Sequence, residues 1–297
     1  MAHMGVMGIF ISMLCAISRW FAPILERTIE WGDKINGEKV TMTNSPAQTT
    51  TSDDLAPKLL AEFIGTFAFV FIGAGAAAVV GDAAGVAGIG AIALAHGLTI
   101  MVFAYAYGDV SGGHFNPAVT VGVLAAGAMS TGKAAGYVVS QVLGGAAGAM
   151  LLRVVLGGVA TGLGRPELAH GLALGTTTLT VLPSDGFVIE AVLAFLLVTV
   201  VLSTAIVGRA GNLAPFAIGM TVSLNIIMGG ALTGGAFNPA RALGPMIATG
   251  NFSDAWLYVA APLVGGIIAA LVHSGITRLA TQPARVTANT AGQRQTT

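Results

Sequence analysis

Two stretches of this chain carry residues placed for chemistry. One begins at Ser111 and reads SGGHFNPAVT; the other begins at Thr233 and reads TGGAFNPARALG. Both contain Gly-Gly-x-Phe-Asn-Pro-Ala, with an offset of 122 from Asn116 to Asn238. Proline suits the first helical position, where its missing N–H would have no partner, and Asn before it is a strong N-cap. Pro117-Ala118 and Pro239-Ala240 therefore each open a helix, with the Gly-Gly run as the tight turn leading in. If each Asn oxygen caps its own helix, its amide NH2 remains as a donor for a small polar molecule. Arg241 follows the second motif directly, where the first has Val119. These groups bind and orient; they form no nucleophile–base pair or phosphate loop. No catalytic residue, metal or cofactor is expected. The sole cysteine, Cys15, excludes an intramolecular disulfide and a thiolate metal cluster.

The rest of the chain says where such groups sit. Of 297 residues, 55% are hydrophobic and 9% charged, against about a quarter charged in soluble domains. Net charge is zero, with no basic stripe for nucleic acid. Apolar stretches of spanning length recur at Lys58–Val80, Val86–Gly108, Lys133–Gly157, Gly186–Gly208, Ala214–Leu232 and Asp254–Ile276. Two short ones, Pro117–Ala128 and Pro239–Thr249, follow the Asn-Pro-Ala motifs. The expected fold is an all-α membrane protein of six spans and two re-entrant half-helices. Its repeats are about 58–157 and 186–277, within a domain 58–277. Residues 1–57 are expected to be an extension and linker, with an amphipathic stretch over Arg19–Lys39, and 278–297 a flexible tail.

Three spans per half make the repeat an inverted one, whose site belongs at the interface of the halves. Ten Lys and Arg fall on one side and two, Arg153 and Arg165, on the other, which puts both termini in the cytoplasm. Half-helices entering from opposite faces meet N-terminus to N-terminus at the midplane. Helix N-termini carry partial positive charge, so two together form a barrier to protons and cations. A single-file water would accept from both Asn amides there. Glu62 and Glu190, early in the first span of each half, need partners in the membrane. The loops before the half-helices expose N–H groups that these carboxylates can accept, so both, with His114, are read as architectural.

With its paired Asn-Pro-Ala motifs, inverted halves and Arg241, the chain resembles the major intrinsic protein family, the aquaporins and their relatives, from about Lys58 to Ile276. The resemblance implies a pore in each subunit of a homotetramer. It also implies a filter made of Arg241 with His96, Ile226 and Gly235, at the family's spacings from the two Asn residues. The set His-Ile-Gly-Arg is similar to that of some plant tonoplast intrinsic proteins, which pass ammonia besides water. His170, in the loop after the third span, is a candidate extra filter residue. Glycerol facilitators typically carry Asp after the arginine; Ala242 stands there, which favours the water branch.

The function expected is a passive channel for water and for ammonia or other small neutral solutes, in a bacterial plasma membrane. A glycerol or small-polyol facilitator is the alternative within the family. A secondary active transporter is the alternative outside it, and requires ion-coupling carboxylates that the spans do not supply.

Overall fold

The computed structural model describes residues 54–81 and 85–281. The N-terminal extension up to residue 53, with its amphipathic stretch, and the tail from residue 282 onward lie outside the described residues.

Helix α1 is Leu55–Val80, helical throughout but π-helical over Phe69–Ala74. It starts three residues before the expected Lys58 because the Asp54 carboxylate caps it, accepting from Ala56 N at 3.1 Å. Helix α2 is Gly85–Ser111, α3 the half-helix Pro117–Ala125, and α4 Thr131–Val155. Helix α5 is Pro183–Val201, extended by a π-helical turn at Leu202–Ile206; α6 is Ala214–Thr233, α7 the half-helix Pro239–Thr249, and α8 Ala255–Thr281. Six of these helices are long and apolar enough to cross a membrane.

Three further differences separate the observed elements from the expected ones. Helix α3 stops at Ala125 rather than Ala128, because Gly127 turns the chain at φ 75°. Helix α8 continues to Thr281, so the residues expected to open the tail are helical. The loop between α4 and α5 holds a short antiparallel hairpin, β1 Leu172–Leu174 with β2 Thr177–Leu179, the only strands among the described residues.

In lipid there is no hydrophobic drive between helices, so close packing depends on small residues that let backbones approach. Here the approach is reciprocal between the two halves. A Cβ on Gly145 of α4 would lie 2.5 Å from the carbonyl oxygen of Ala240 in α7. One on Gly266 of α8 would lie at the same distance from the carbonyl oxygen of Ala118 in α3. The third span of each half therefore holds the half-helix of the other. The preceding glycines, Gly144 and Gly265, do the same against Phe63 of α1 and Ala191 of α5. Swapped packing of this kind fixes both Asn-Pro-Ala turns to one scaffold.

Candidate functional site

Each Asn-Pro-Ala forms the N-terminus the sequence implies. Asn116 and Asn238 are extended, at φ −156° and −149°. Their side-chain oxygens accept from the backbone N–H two residues on, Ala118 at 2.8 Å and Ala240 at 3.0 Å. Asn238 also accepts from Arg241 N at 3.2 Å. The two amide nitrogens then cross the interface between the halves. Asn116 Nδ2 donates to the Phe237 carbonyl at 3.0 Å, and Asn238 Nδ2 donates to the Phe115 carbonyl at 2.9 Å. One N–H of each amide is engaged in this way, so a single N–H per Asn is left for a passing molecule.

The phenylalanines that receive these bonds are under backbone strain. Phe115 and Phe237 have φ of 49° and 33°, a region bulky side chains rarely adopt. Such residues persist where their surroundings over-determine them. Here the surroundings are the two buried glutamates. Glu62 accepts from Phe115 N at 2.7 Å, His114 N at 2.9 Å and Ser111 Oγ at 2.7 Å. Glu190 accepts from Phe237 N at 2.5 Å, Ala236 N at 2.9 Å and Thr233 Oγ1 at 2.6 Å. A tyrosine hydroxyl completes each cradle, Tyr137 to the Ser111 carbonyl and Tyr258 to the Thr233 carbonyl, both at 2.7 Å.

The cradles are not identical. In the first half Gln141 Nε2 donates to Glu62 at 2.7 Å and to Thr120 Oγ1 at 2.9 Å, while the His114 ring meets Thr120 Oγ1 at 3.1 Å. By the offset of 122 between the motifs, His114 and Thr120 correspond to Ala236 and Ala242; by the offset of 121 between Tyr137 and Tyr258, Gln141 corresponds to Pro262. Where the first half has a polar triplet, the second is apolar, with Ala236 and Ala242 packed beside Leu257 and Tyr258.

On one side of the Asn pair runs a cavity walled by Ile100, Val119, Leu197 and Val222, with Asn116 and Asn238 in its lining. Phe69 and His114 line it as well, so a water there meets the His114 imidazole and the two Asn amides as its polar side chains. Arg241, His96, Ile226 and Gly235 are the residues expected at the filter. All four are buried. The Arg241 guanidinium and the His96 ring are close enough to act on one another electrostatically. Gly235 packs on α6 against Gly229 and Gly230, one turn beyond Ile226. Its φ of 51° is a second reason for glycine there besides lack of bulk. His96 gives Nδ1–H to the Ile92 carbonyl at 2.9 Å, which leaves Nε2 of the neutral ring as an acceptor. His96 Nε2, Arg241 Nε and Arg241 Nη1 are buried and lack a protein partner. Buried polar atoms are nearly always satisfied; among the described residues Gln141 Oε1 and Thr199 Oγ1 are the other two buried side-chain atoms without a partner.

The sequence profile of the major intrinsic protein family matches residues 49–273. This chain belongs to that family. Aquaporin TIP2-1 of Arabidopsis thaliana is 39% identical over 225 residues, covering 73% of this chain and 86% of the relative. Aquaporin TIP2-2 of Zea mays is 40% identical over the same shares, and aquaporin NIP1-2 of Oryza sativa subsp. japonica 38% identical over 78% of this chain and 75% of the relative. The aquaglyceroporin from Plasmodium falciparum superposes with a TM-score of 0.64 at 23% identity, covering 75% of this chain and 97% of that one, a likeness of fold. The protein is an integral, multi-pass aquaporin-family channel for water and small solutes, not an enzyme.

Within this aquaporin-family channel, His170 differs in placement from the other candidates. It is exposed, on the loop leading into the hairpin, and is not among the buried group around Arg241. The same loop reaches that group elsewhere. Ala169 N donates to the Leu232 carbonyl at 2.9 Å, and Pro166 lies against Gly234. Two structural residues were absent from the sequence reading. Phe69 meets the His96 ring edge-on, and Gly73 leaves the space that ring fills. Both belong to the π-helical turn of α1, which has no signature in an unbroken apolar run.

Proposed function

We propose that this channel conducts water and ammonia, and excludes protons and cations at the Asn116–Asn238 midplane and at Arg241. The observation that carries the reading is the buried group of three unpartnered atoms, His96 Nε2 as acceptor and Arg241 Nε and Nη1 as donors. Water and ammonia can both give a hydrogen to the ring and accept one from the guanidinium. Ile226 and Gly235, the other two residues of this proposed filter, are apolar and without a side chain, which gives width without further hydrogen bonds. A fixed guanidinium charge repels ammonium and other cations.

The filter roles of His96, Ile226, Gly235 and Arg241 belong to this proposal, as do the homotetramer and cytoplasmic termini. Outward-facing apolar side chains such as Leu94 and Leu98 on α2 and Leu224 and Ile227 on α6 offer surface for lipid or sister subunits. The ten-to-two division of Lys and Arg supports the orientation. A bacterial plasma membrane is part of the same proposal, although the relatives reported are plant proteins. His170 is proposed only as an outer-rim residue.

The test is stopped-flow permeability of proteoliposomes to water, ammonia and glycerol in the same preparation. Water flux with a low activation energy and ammonia flux above protein-free vesicles are expected. His96→Phe should lower ammonia relative to water. A temperature dependence equal to bare lipid, or an unchanged ratio in His96→Phe, overturns the reading. Glycerol flux exceeding both would move the assignment to a polyol facilitator.

A further inference from the structure

The imidazole of His96 rests against α1 in a place that only glycine leaves open. A Cβ on Gly73 would lie 2.7 Å from both Cγ and Nε2 of that ring, and its three nearest neighbours would all be His96 atoms. The Phe69 ring meets the same imidazole edge-on, with centroids 5.2 Å apart and planes at 82°. Phe69 and Gly73 both lie in the π-helical turn Phe69–Ala74. A π-turn within an α-helix is rare and is frequently found at functional sites. On its own it would be a curiosity of α1. With His96 seated on it, it becomes the floor of the candidate filter.

The imidazole is fully buried, but its hydrogen bonding is one-sided. The bond from Nδ1 to Ile92 O fixes its tautomer and anchors one edge. Nε2 has no protein partner. The backbone of α1 is itself held close by α4: Gly144 leaves no room for a side chain against Phe63, and Gly148 comes within contact of Phe67 and Phe71. If atoms are added at position 73, the ring therefore yields before the helix does. It moves off α1, and in the proposed filter that displacement is into the opening.

We propose that Gly73 and Phe69 are specificity-determining positioning residues, which set the width of the filter by fixing how far the His96 ring stands off α1. Gly73 acts on the solute only through the imidazole; Phe69 acts through the imidazole and also lines the cavity at the Asn pair. The proposal rests on the reading of His96 as a filter residue. Gly73→Ala narrows the opening, and solutes larger than water lose most. Phe69→Leu removes the edge contact without adding atoms, so the ring gains room to fall back and the opening loosens.

The experiment is the ammonia-to-water and glycerol-to-water permeability ratio in proteoliposomes of the full chain. The variants are Gly73→Ala, Phe69→Leu and His96→Ala, together with each of the first two in the His96→Ala background. A methyl group's worth of space in a fitted pocket discriminates by about tenfold or more. Gly73→Ala is therefore expected to lower the two ratios, ammonia by about tenfold, while Phe69→Leu raises them. In the His96→Ala background Gly73→Ala is expected to leave the ratios alone, because the ring it positions is gone, and Phe69→Leu to change them less than in wild type, since Phe69 also lines the cavity at the Asn pair. A merely structural role lowers total flux in both backgrounds and leaves the ratios untouched. Equal changes in both backgrounds, or no change in either, overturn the positioning role while leaving the filter reading intact. If His96→Ala itself keeps the wild-type ratios, the filter reading fails and this inference with it. Should Gly73→Ala not reach the membrane, Phe69→Leu decides by the same comparison.

Discussion

Asn116 donates its side-chain amide to the backbone carbonyl of Phe237 at 3.0 Å, across the boundary between the two halves of the chain. Asn238 returns the bond to Phe115. Each Asn thus caps its own half-helix with its oxygen and ties down the opposite loop with its nitrogen. The pair also explains how Phe115 and Phe237 stay at positive φ. Each strained peptide gives its N–H to a glutamate and its carbonyl to an Asn, and so has no freedom to relax.

Asn238→Asp tests this arrangement with almost no change in shape. The carboxylate still caps Ala240 and Arg241, but the atom facing the Phe115 carbonyl becomes an acceptor opposite an acceptor. The loss of that bond is expected to cost about 1–3 kcal/mol of stability. A negative charge at the junction also offsets the positive helix termini. Proton flux, read by a pH-sensitive dye in vesicles clamped with a potassium gradient, is expected to rise above wild type. A proton-tight Asn238→Asp would remove the Asn pair from the barrier.

Glu190→Gln should damage the second cradle more than Gln141→Leu damages the first. A glutamine at 190 has one acceptor oxygen for three donors, Thr233 Oγ1, Ala236 N and Phe237 N, and turns its own NH2 on one of them. Each donor left buried without a partner costs about 1–3 kcal/mol. Glu62 without Gln141 keeps Ser111, His114 and Phe115, so its loop stays held. Thermal unfolding in detergent is expected to show a large drop for Glu190→Gln and a smaller one for Gln141→Leu. The reverse order would mean that the polar triplet of the first half, not the carboxylate, holds its loop.

What the sequence made legible follows from where lipid constrains a residue. A carboxylate such as Glu62 must find donors in the membrane, so its pairing with the loop N–H groups could be argued before any coordinates. The same holds for Asn before Pro, whose capping role is local. Which face of a spanning helix packs inward was not legible, because exposed Leu94 and buried Ala93 of α2 are both apolar. For that reason the π-turn at Phe69–Ala74 and the seat of His96 on Gly73 left no trace in the pattern. The crossed bonds of the two Asn amides were missed for another reason: they depend on the register of one half against the other. The β1–β2 hairpin lies in a loop where no span length constrains the chain.

The swapped glycines make a prediction with an internal control. Gly145→Ala would set its Cβ at 2.5 Å from the Ala240 carbonyl oxygen, and Gly266→Ala likewise against Ala118. Both neighbours are backbone at a half-helix N-terminus, so they yield only by moving an Asn-Pro-Ala turn. Overpacking of this kind typically costs about 1–3 kcal/mol. Gly132→Ala meets nothing within 4 Å, and is expected to be neutral or to stabilise α4 by about 0.5–1 kcal/mol. Water permeability per assembled channel should fall for the first two and not for the third. Equal permeability in all three would show that the half-helices tolerate displacement.

Arg241→Val replaces the arginine by the residue its repeat partner Val119 already has. Glu190 is committed to Thr233, Ala236 and Phe237, and it interacts electrostatically with Arg241 through the protein. Removing the guanidinium takes away two buried donors and the positive charge that balances this carboxylate. The local field then turns toward the negative, which favours cations where they had been repelled. Two effects are expected together: a wider opening that raises glycerol relative to water, and a cation or proton leak absent from wild type. Arg241→Lys separates them, since a lysine keeps the charge but presents a point donor in place of the planar fork. It should keep protons out while changing the solute ratios. Leakage from Arg241→Lys equal to that from Arg241→Val would mean that the geometry of the guanidinium, rather than its charge, bars the cation.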